Sequence, residues 1–319
     1  MELFTSTGNN YIIYYHIRPD GDCIGAAYGL AVYLRSMGNR VLVLGHDPVP
    51  PMFDYQLEDY RDDFSEDCIP EDVKRIVIDT ASPDRIGKYQ NEKIDILIDH
   101  HKFNSFEAPV KIVDEEAGAC TEMLWDMMKE QLAGSPVRKK VCDLFYMGII
   151  TDSNCFRNES VRPNTIKAAY ELAEAGADYC LIAQKHALIK SREQQAFEDR
   201  LTSSYTFYEG GIVAGILTQQ DSREIGLPIN TYEVLSSLPM NMEDTMISLV
   251  IRELEDGTSR VAVRSRGNYS ADLICRRFGG GGHENAAGCT LDLSPLELRE
   301  LFVKAAQEHI RQVKAAENG

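Results

Sequence analysis

Four short apolar runs, YIIYYH (11–16), RVLVLGH (40–46), RIVIDTA (75–81) and DILIDHH (95–101), follow one another early in the chain, with a helical pattern after the first. Runs of this length, rich in β-branched residues, are apolar on both faces, and a parallel sheet covered on both sides is what buries such strands. The alternation predicts an α/β fold whose N-terminal domain is a doubly wound, mainly parallel sheet. The first helix is expected from Cys23 to Met37, because Ile24, Ala27, Ala31 and Leu34 recur at helical spacing and Gly38 is placed to end it. Helical periodicity from Ala117 to about Gly176 closes this domain.

The next stretch, 178–208, reads as two polar helices rather than a flexible linker. Strand patterns return at 211–219, 245–254 and 260–266, with EDGTS a hairpin turn between the last two. A helix from Ser270 to Phe278, a glycine run and a last helix from about Pro295 complete a smaller α/β domain. The expected organisation is an N-terminal domain at 1–180, a helical connector at 181–209 and a smaller C-terminal domain at 210–319, facing the first across a cleft. A chain of 319 residues is long enough for two cores.

The predicted strands end in unusual company. HIRPDGD puts His16, Asp20 and Asp22 in one sharp loop between strand and helix. Asp79 ends the third run, Asp99, His100 and His101 end the fourth, and GIITD places Asp152 after an apolar helical segment. A single aspartate in such a position is ordinarily a helix cap or turn residue. Several together at strand C-termini, where open α/β sheets bind ligands, indicate a site. His16, Asp20, Asp22, Asp79, His100 and Asp152 offer two imidazoles and four carboxylates, a set too anionic to stand without cations. Two divalent ions sharing a carboxylate would neutralise it, and mixed nitrogen and oxygen donors favour Mn²⁺ over Mg²⁺ or Zn²⁺. No Ser/His/Asp or Cys/His nucleophile pattern is present.

Charge limits the substrate. With 33 Lys+Arg against 50 Asp+Glu the net charge is −17, a field that repels long nucleic acids and anionic membranes. A small anion can still be held by a local excess of positive charge. That excess lies between Arg260 and His283, where five arginines face one acid, Asp272, and where Arg260, Arg264 and Arg266 share a face by period two. The glycine run containing Gly280, Gly281 and Gly282, just before His283, suggests backbone N–H groups that cradle a phosphate. Eight scattered cysteines with no CxxC pair read as reduced thiols, and neither a signal segment nor a membrane-length apolar run is evident, so the expected location is the cytoplasm.

HIRPDGD, IVIDTA, IDHH and GIITD resemble, in order, the four motifs of the DHH phosphoesterase family. VAVRSRG with FGGGGHENAAG resembles the DHHA1 substrate domain that accompanies it, and within the family the likeness is greatest to enzymes that degrade nanoRNA or dephosphorylate 3'-phosphoadenosine 5'-phosphate. The resemblance implies one ion on His16, Asp20 and Asp79, a second on Asp22, Asp79, His100 and Asp152, His101 toward the scissile phosphate and Asp99 orienting an imidazole. It implies Arg264, Arg266, the glycines and His283 as substrate contacts. The substrate would be a short oligoribonucleotide or small nucleotide, with a homodimer left open. Phosphatase action on 3'-phosphoadenosine 5'-phosphate and cyclic or linear di-AMP hydrolysis are the alternatives, and retention of all six ligand types argues against a non-catalytic nucleotide-binding module. Two departures stand out: Ala26 where relatives carry a small hydroxyl residue, and Asn154 where they carry glycine.

Overall fold

The computed structural model describes residues 4–158 and 160–317. The chain divides into two units, Met1–Ile189 and Lys190–Gly319.

In the first unit the apolar runs form a parallel sheet of β1 (Asn10–Tyr15), β2 (Arg40–Gly45), β3 (Val73–Ile78), β4 (Ile96–Asp99) and β5 (Val110–Val113), in the order β2-β1-β3-β4-β5. β5, whose VKIV is too short and too mixed to announce itself, was absent from the sequence expectation. Alternate residues bury on opposite faces. Ile13, Ile76 and Ile98 join a large core with the helices, whereas Ile12, Tyr14, Val77 and Leu97 pack against Ile86 and Tyr89. That second face is covered by the 3-10 segment Pro83–Tyr89 and loops rather than a long helix.

The helical face is built from α1 (Gly21–Ser36), α2 (Cys120–Leu132), α3 (Arg138–Asp152), α4 (Pro163–Glu174) and α5 (Tyr179–Ala187). α1 is apolar nearly all round because it lies in the core beside α3. A Cβ on Gly25 would sit 2.4 Å from the Leu144 carbonyl oxygen of α3, so only glycine allows this backbone-to-backbone approach. The same approach sets the end of α3 beside the start of α1.

The second unit opens with α6 (Arg192–Ser203), so the two polar helices expected at 178–208 both form, one on each side of the division at Ile189 and Lys190. Its sheet contains β6 (Thr206–Tyr208), β7 (Ile212–Leu217), β8 (Ile247–Glu253), β9 (Ser259–Ser265), β10 (Gly281–His283) and β11 (Ala286–Leu291), in the order β10-β11-β9-β8-β7-β6. All neighbours are antiparallel except β7 and β8. α7 (Gln219–Ile225) follows β7, while α8 (Ala271–Arg276) and α9 (Pro295–Glu317) cover one face, where Ile247, Leu249 and Ile251 meet Phe302 and Ala306. The β8–β9 turn closes on Gly257, at φ 83°, with the Leu254 N–H donating to the Thr258 carbonyl. No helix of the described residues is long and apolar enough to cross a membrane.

Candidate active site

Strand order reverses between β1 and β3, the switch point at which open α/β sheets leave a crevice beyond their C-terminal ends. β1 ends at Tyr15 and delivers buried His16, and β3 ends at Ile78 and delivers buried Asp79. Asp79 stands at φ 58°, a left-handed conformation that costs a non-glycine residue about 1–2 kcal/mol. This is where the expected strand through Ala81 stops, because the turn re-aims the Asp79 carboxylate.

His16 Nε2 lies 3.5 Å from Asp20 Oδ2 and 3.6 Å from Asp79 Oδ2. His100 Nε2 lies 3.4 Å from Asp79 Oδ1, 3.9 Å from Asp152 Oδ2 and 4.0 Å from Asp22 Oδ2. The six predicted donors thus form two groups that share Asp79, which turns one oxygen to each. Both imidazoles are set for ligation in the same way: Nδ1–H donates to a carbonyl, that of Ile17 at 2.8 Å from His16 and that of Ala117 at 3.1 Å from His100. Nε2 is thereby left as the free donor atom of each ring.

The ordinary and functional readings of the aspartates both hold, on different oxygens. Asp20 caps α1 by accepting the N–H groups of Asp22 and Cys23 on Oδ1 while Oδ2 faces His16. Asp22 does not cap its own helix. It reaches the start of α2, whose N-cap Ala119 has no capping side chain, and accepts the Cys120 N–H on Oδ2 and the Thr121 N–H and hydroxyl on Oδ1. Asp152 is the last residue of α3 rather than part of a following turn, and a carboxylate at a helix C-terminus is disfavoured by the helix dipole. After it Asn154, Cys155 and Phe156 are all left-handed, at φ 48°, 56° and 62°. The turn is held by the Ser153 hydroxyl and by Asn158, so asparagine serves where glycine would be the easy choice.

The electrostatics of this cluster suit cations. Burial, then Asp79 and Asp152, raise the Asp22 carboxyl well above its ordinary range. Asp152 is pushed up to about 7 by burial and by Asp79 and Asp20, against His100. Burial would pull His100 down, but Asp79, Asp22 and Asp152 outweigh it and hold the imidazole at about 11. Burial would likewise raise Asp79, yet His100 and His16 keep its carboxyl far below the usual range. Even so, Asp79 Oδ1 is buried without a hydrogen-bond partner. A buried carboxylate oxygen that faces an imidazole without accepting a hydrogen bond, on a strained backbone among other acids, fits a divalent cation.

Beside these donors the His101 Nδ1–H donates to Asp99 Oδ1 at 2.8 Å. Asp99 is fully buried, and its other oxygen accepts from Asn104. Burial opposes the dominant effect of Asp99, which raises His101. Asn104, Thr121 and the two carbonyls were not anticipated. Their roles depend on contacts between segments, and only the Asn after DHHKF was visible locally, without a pattern to mark it.

In the second unit, residues 259, 261, 263 and 265 bury and the even positions face outward, so Arg260 and Arg264 share a side of the sheet. Register sets His283, Ala286 and Arg264 in one row and Gly281, Gly288 and Ala262 in the next, a nearly side-chain-free floor. The expected phosphate cradle is not what the glycine run forms. The N–H groups of Gly279, Gly280 and Gly282 donate to the Arg276 carbonyl, the Cys275 carbonyl and Asp272 Oδ1, which spends them inside the unit. Glycine is required instead by close approach, since a Cβ on Gly282 would lie 2.4 Å from the Ala286 carbonyl oxygen. Arg266, just past β9, donates to the carbonyls of Met240 and Glu243.

Residues 10–149 match the DHH family, N-terminal domain, and residues 230–312 match the DHHA1 domain. The chain is 28% identical over 278 residues to a bifunctional oligoribonuclease and PAP phosphatase NrnA of Thermus thermophilus, covering 86% of this chain and 82% of that one. It is 25% identical to a cyclic-di-AMP phosphodiesterase GdpP of Geobacillus thermodenitrificans, over 93% of this chain but 46% of that protein. An exopolyphosphatase-related protein from Bacteroides fragilis shares the fold with TM-score 0.85 at 21% identity, covering 98% of this chain and 95% of that one. With the DHH match lying in the first unit and the DHHA1 match in the second, the chain belongs to the DHH/DHHA1 family of phosphoesterases.

Proposed function

We propose that this protein is a two-metal phosphoesterase acting in the cytoplasm on very short oligoribonucleotides or small nucleotides. The observation that carries this reading is the Asp79 carboxylate, buried and shared between two groups of imidazole and carboxylate donors, whose Oδ1 faces His100 at 3.4 Å without accepting a hydrogen bond. His16, Asp20 and Asp79 would hold one ion and Asp22, Asp79, His100 and Asp152 the other, with Mn²⁺ best matched to the donor set. Bound there, such ions supply Lewis acidity that lowers the pKa of water and offsets charge on the phosphate oxygens.

The chain's own groups do the positioning. His101, steadied by Asp99, keeps Nε2 for a phosphate oxygen, and Asn104 prevents Asp99 from turning away. Arg264, Arg266 and His283 are assigned the part of the nucleotide remote from the break, with Gly280, Gly281 and Gly282 giving a strand flat enough for close approach. Relatives named as oligoribonucleases and PAP phosphatases support the substrate class, and the net charge of −17 supports short over long strands. Eight free cysteines accord with a reducing compartment.

The test is a product time course by chelator-stripped protein with and without added Mn²⁺. Its substrates are oligoribonucleotides from dimer to long strand, 3'-phosphoadenosine 5'-phosphate and cyclic di-AMP. Mn²⁺-dependent turnover that is fastest on the dimer or the bisphosphate is expected. Efficient digestion of long strands, or full activity without metal, would overturn the proposal, and preference for cyclic di-AMP would move it to the other named relatives.

A further inference from the structure

We propose that Cys23 is a fourth ligand in the His16, Asp20 and Asp79 group. This half of the centre then takes a thiophilic divalent cation such as Zn²⁺ or Co²⁺, while the other half keeps a harder ion. The inference rests on reading these residues as a metal site and departs from it in the identity of one ion. Ligand atoms of His16, Asp20, Cys23 and Asp79 all lie within 4.8 Å of one another. The His16–Asp20 and His16–Asp79 separations, 3.5 and 3.6 Å, match two of the six edges of a tetrahedron with bonds of about 2.0–2.3 Å, the geometry zinc adopts with N, O and S donors.

The position of Cys23 is fixed by the loop that makes the site. It lies in the first turn of α1, its N–H is held by Asp20 Oδ1, and Asp20 Oδ2 faces His16. The thiol is fully buried and donates to the Asp20 carbonyl at 3.5 Å, on the same turn that presents His16 and Asp20. One imidazole, two carboxylates and one thiolate form a softer set than the Asp22, Asp79, His100 and Asp152 group. As the sulfur–metal bond forms, the Sγ–H bond breaks and its proton passes to the buffer. Cys120 is the natural comparison, because its thiol accompanies only Asp22 and Asp79 and donates to the Ile98 carbonyl at 3.7 Å.

Cobalt reports sulfur ligation directly. Metal-free protein titrated with Co²⁺ is expected to develop a near-ultraviolet thiolate-to-cobalt charge-transfer band, with bound cobalt counted by equilibrium dialysis. The band should disappear in Cys23→Ser and Cys23→Ala and persist in Cys120→Ser. Affinity for Zn²⁺ should fall about tenfold or more in the Cys23 variants, with affinity for Mn²⁺ little changed. Melting curves identify a variant that fails to fold, which is why two replacements are used. Cobalt bound without the band, or a band that survives both Cys23 replacements, would overturn this inference alone. Absence of cobalt binding by the wild-type protein would defeat the metal-centre reading and this inference with it.

Discussion

Asp79 combines three costs in one residue: a left-handed backbone, burial, and an oxygen that accepts no hydrogen bond. Such costs persist where function requires them. Asp79→Asn keeps a residue tolerant of positive φ and removes a buried charge. Metal-free variant protein should melt lower than wild type, because His100 and His16 stabilise the charged Asp79 carboxylate, and the rise in melting temperature on adding Mn²⁺ should be lost as well. Its kcat/KM should fall by about a thousandfold or more, as several kcal/mol of transition-state stabilisation disappear. A residue far from this chemistry governs acid stability. His186 is pressed between Phe53 and Tyr55, with the Tyr55 hydroxyl 3.0 Å from Nε2, and burial followed by Lys185 lowers it from 6.5 to about 4. Between those values the unfolded chain binds the extra proton, so stability is present above pH 6.5 and is lost as pH falls toward 4. Melting temperatures measured across that window should drop more steeply for wild type than for His186→Gln.

At the scale of elements, the site depends on helices that approach more closely than side chains normally permit. Gly25 lets α1 meet the backbone of α3, and Asp22 at the head of α1 clasps the head of α2. The first α1 turn, the end of α3 and the start of α2 are thus tied to the same few ångströms. Gly25→Ala adds a methyl that only a backbone shift can accommodate, at a cost of about 1–3 kcal/mol. Because Asp152 rides on the end of α3, Mn²⁺ affinity should fall together with melting temperature. Calorimetry and thermal melts test this, and a variant with lowered stability but unchanged metal affinity would show that the interface does not set the ligand positions.

For the whole molecule, the two units separate the proposed chemistry from the proposed recognition. All candidate metal ligands lie before the division at Ile189 and Lys190, and the Arg264, His283 and glycine rows lie after it. Arg264→Ala and His283→Ala should leave metal content and hydrolysis of a minimal activated phosphodiester unchanged. Turnover of a dinucleotide should fall about tenfold or more, in kcat as well as KM if remote contacts align the phosphate. Equal losses on both substrates with a lower melting temperature would mean that these residues maintain the fold instead.

The sequence by itself determined the parallel sheet, because both-face burial leaves a continuous apolar run that can be read locally. It also indicated that His16, Asp20, Asp22, Asp79 and His100 gather, because strand C-termini and the turns that follow them are carried to one edge by any sheet of this type, whereas Asp152 reaches them only through the packing of α3 on α1. The strand at Val110–Val113 escaped notice because VKIV lies at the edge, where burial is partial and the pattern weak. The glycine run reads in sequence as an anion cradle, but the N–H groups of Gly279, Gly280 and Gly282 donate within the unit, because sequence records where an N–H group exists and not which acceptor it already meets. Tertiary structure alone decided that Asp79 turns one oxygen to each imidazole, that Asp22 holds a helix other than its own, and that the Cys23 thiol reaches the same point. The first two are matters of direction fixed by packing between segments distant in the chain, and the third joins the local turn of Asp20 and Cys23 to Asp79 at the end of β3.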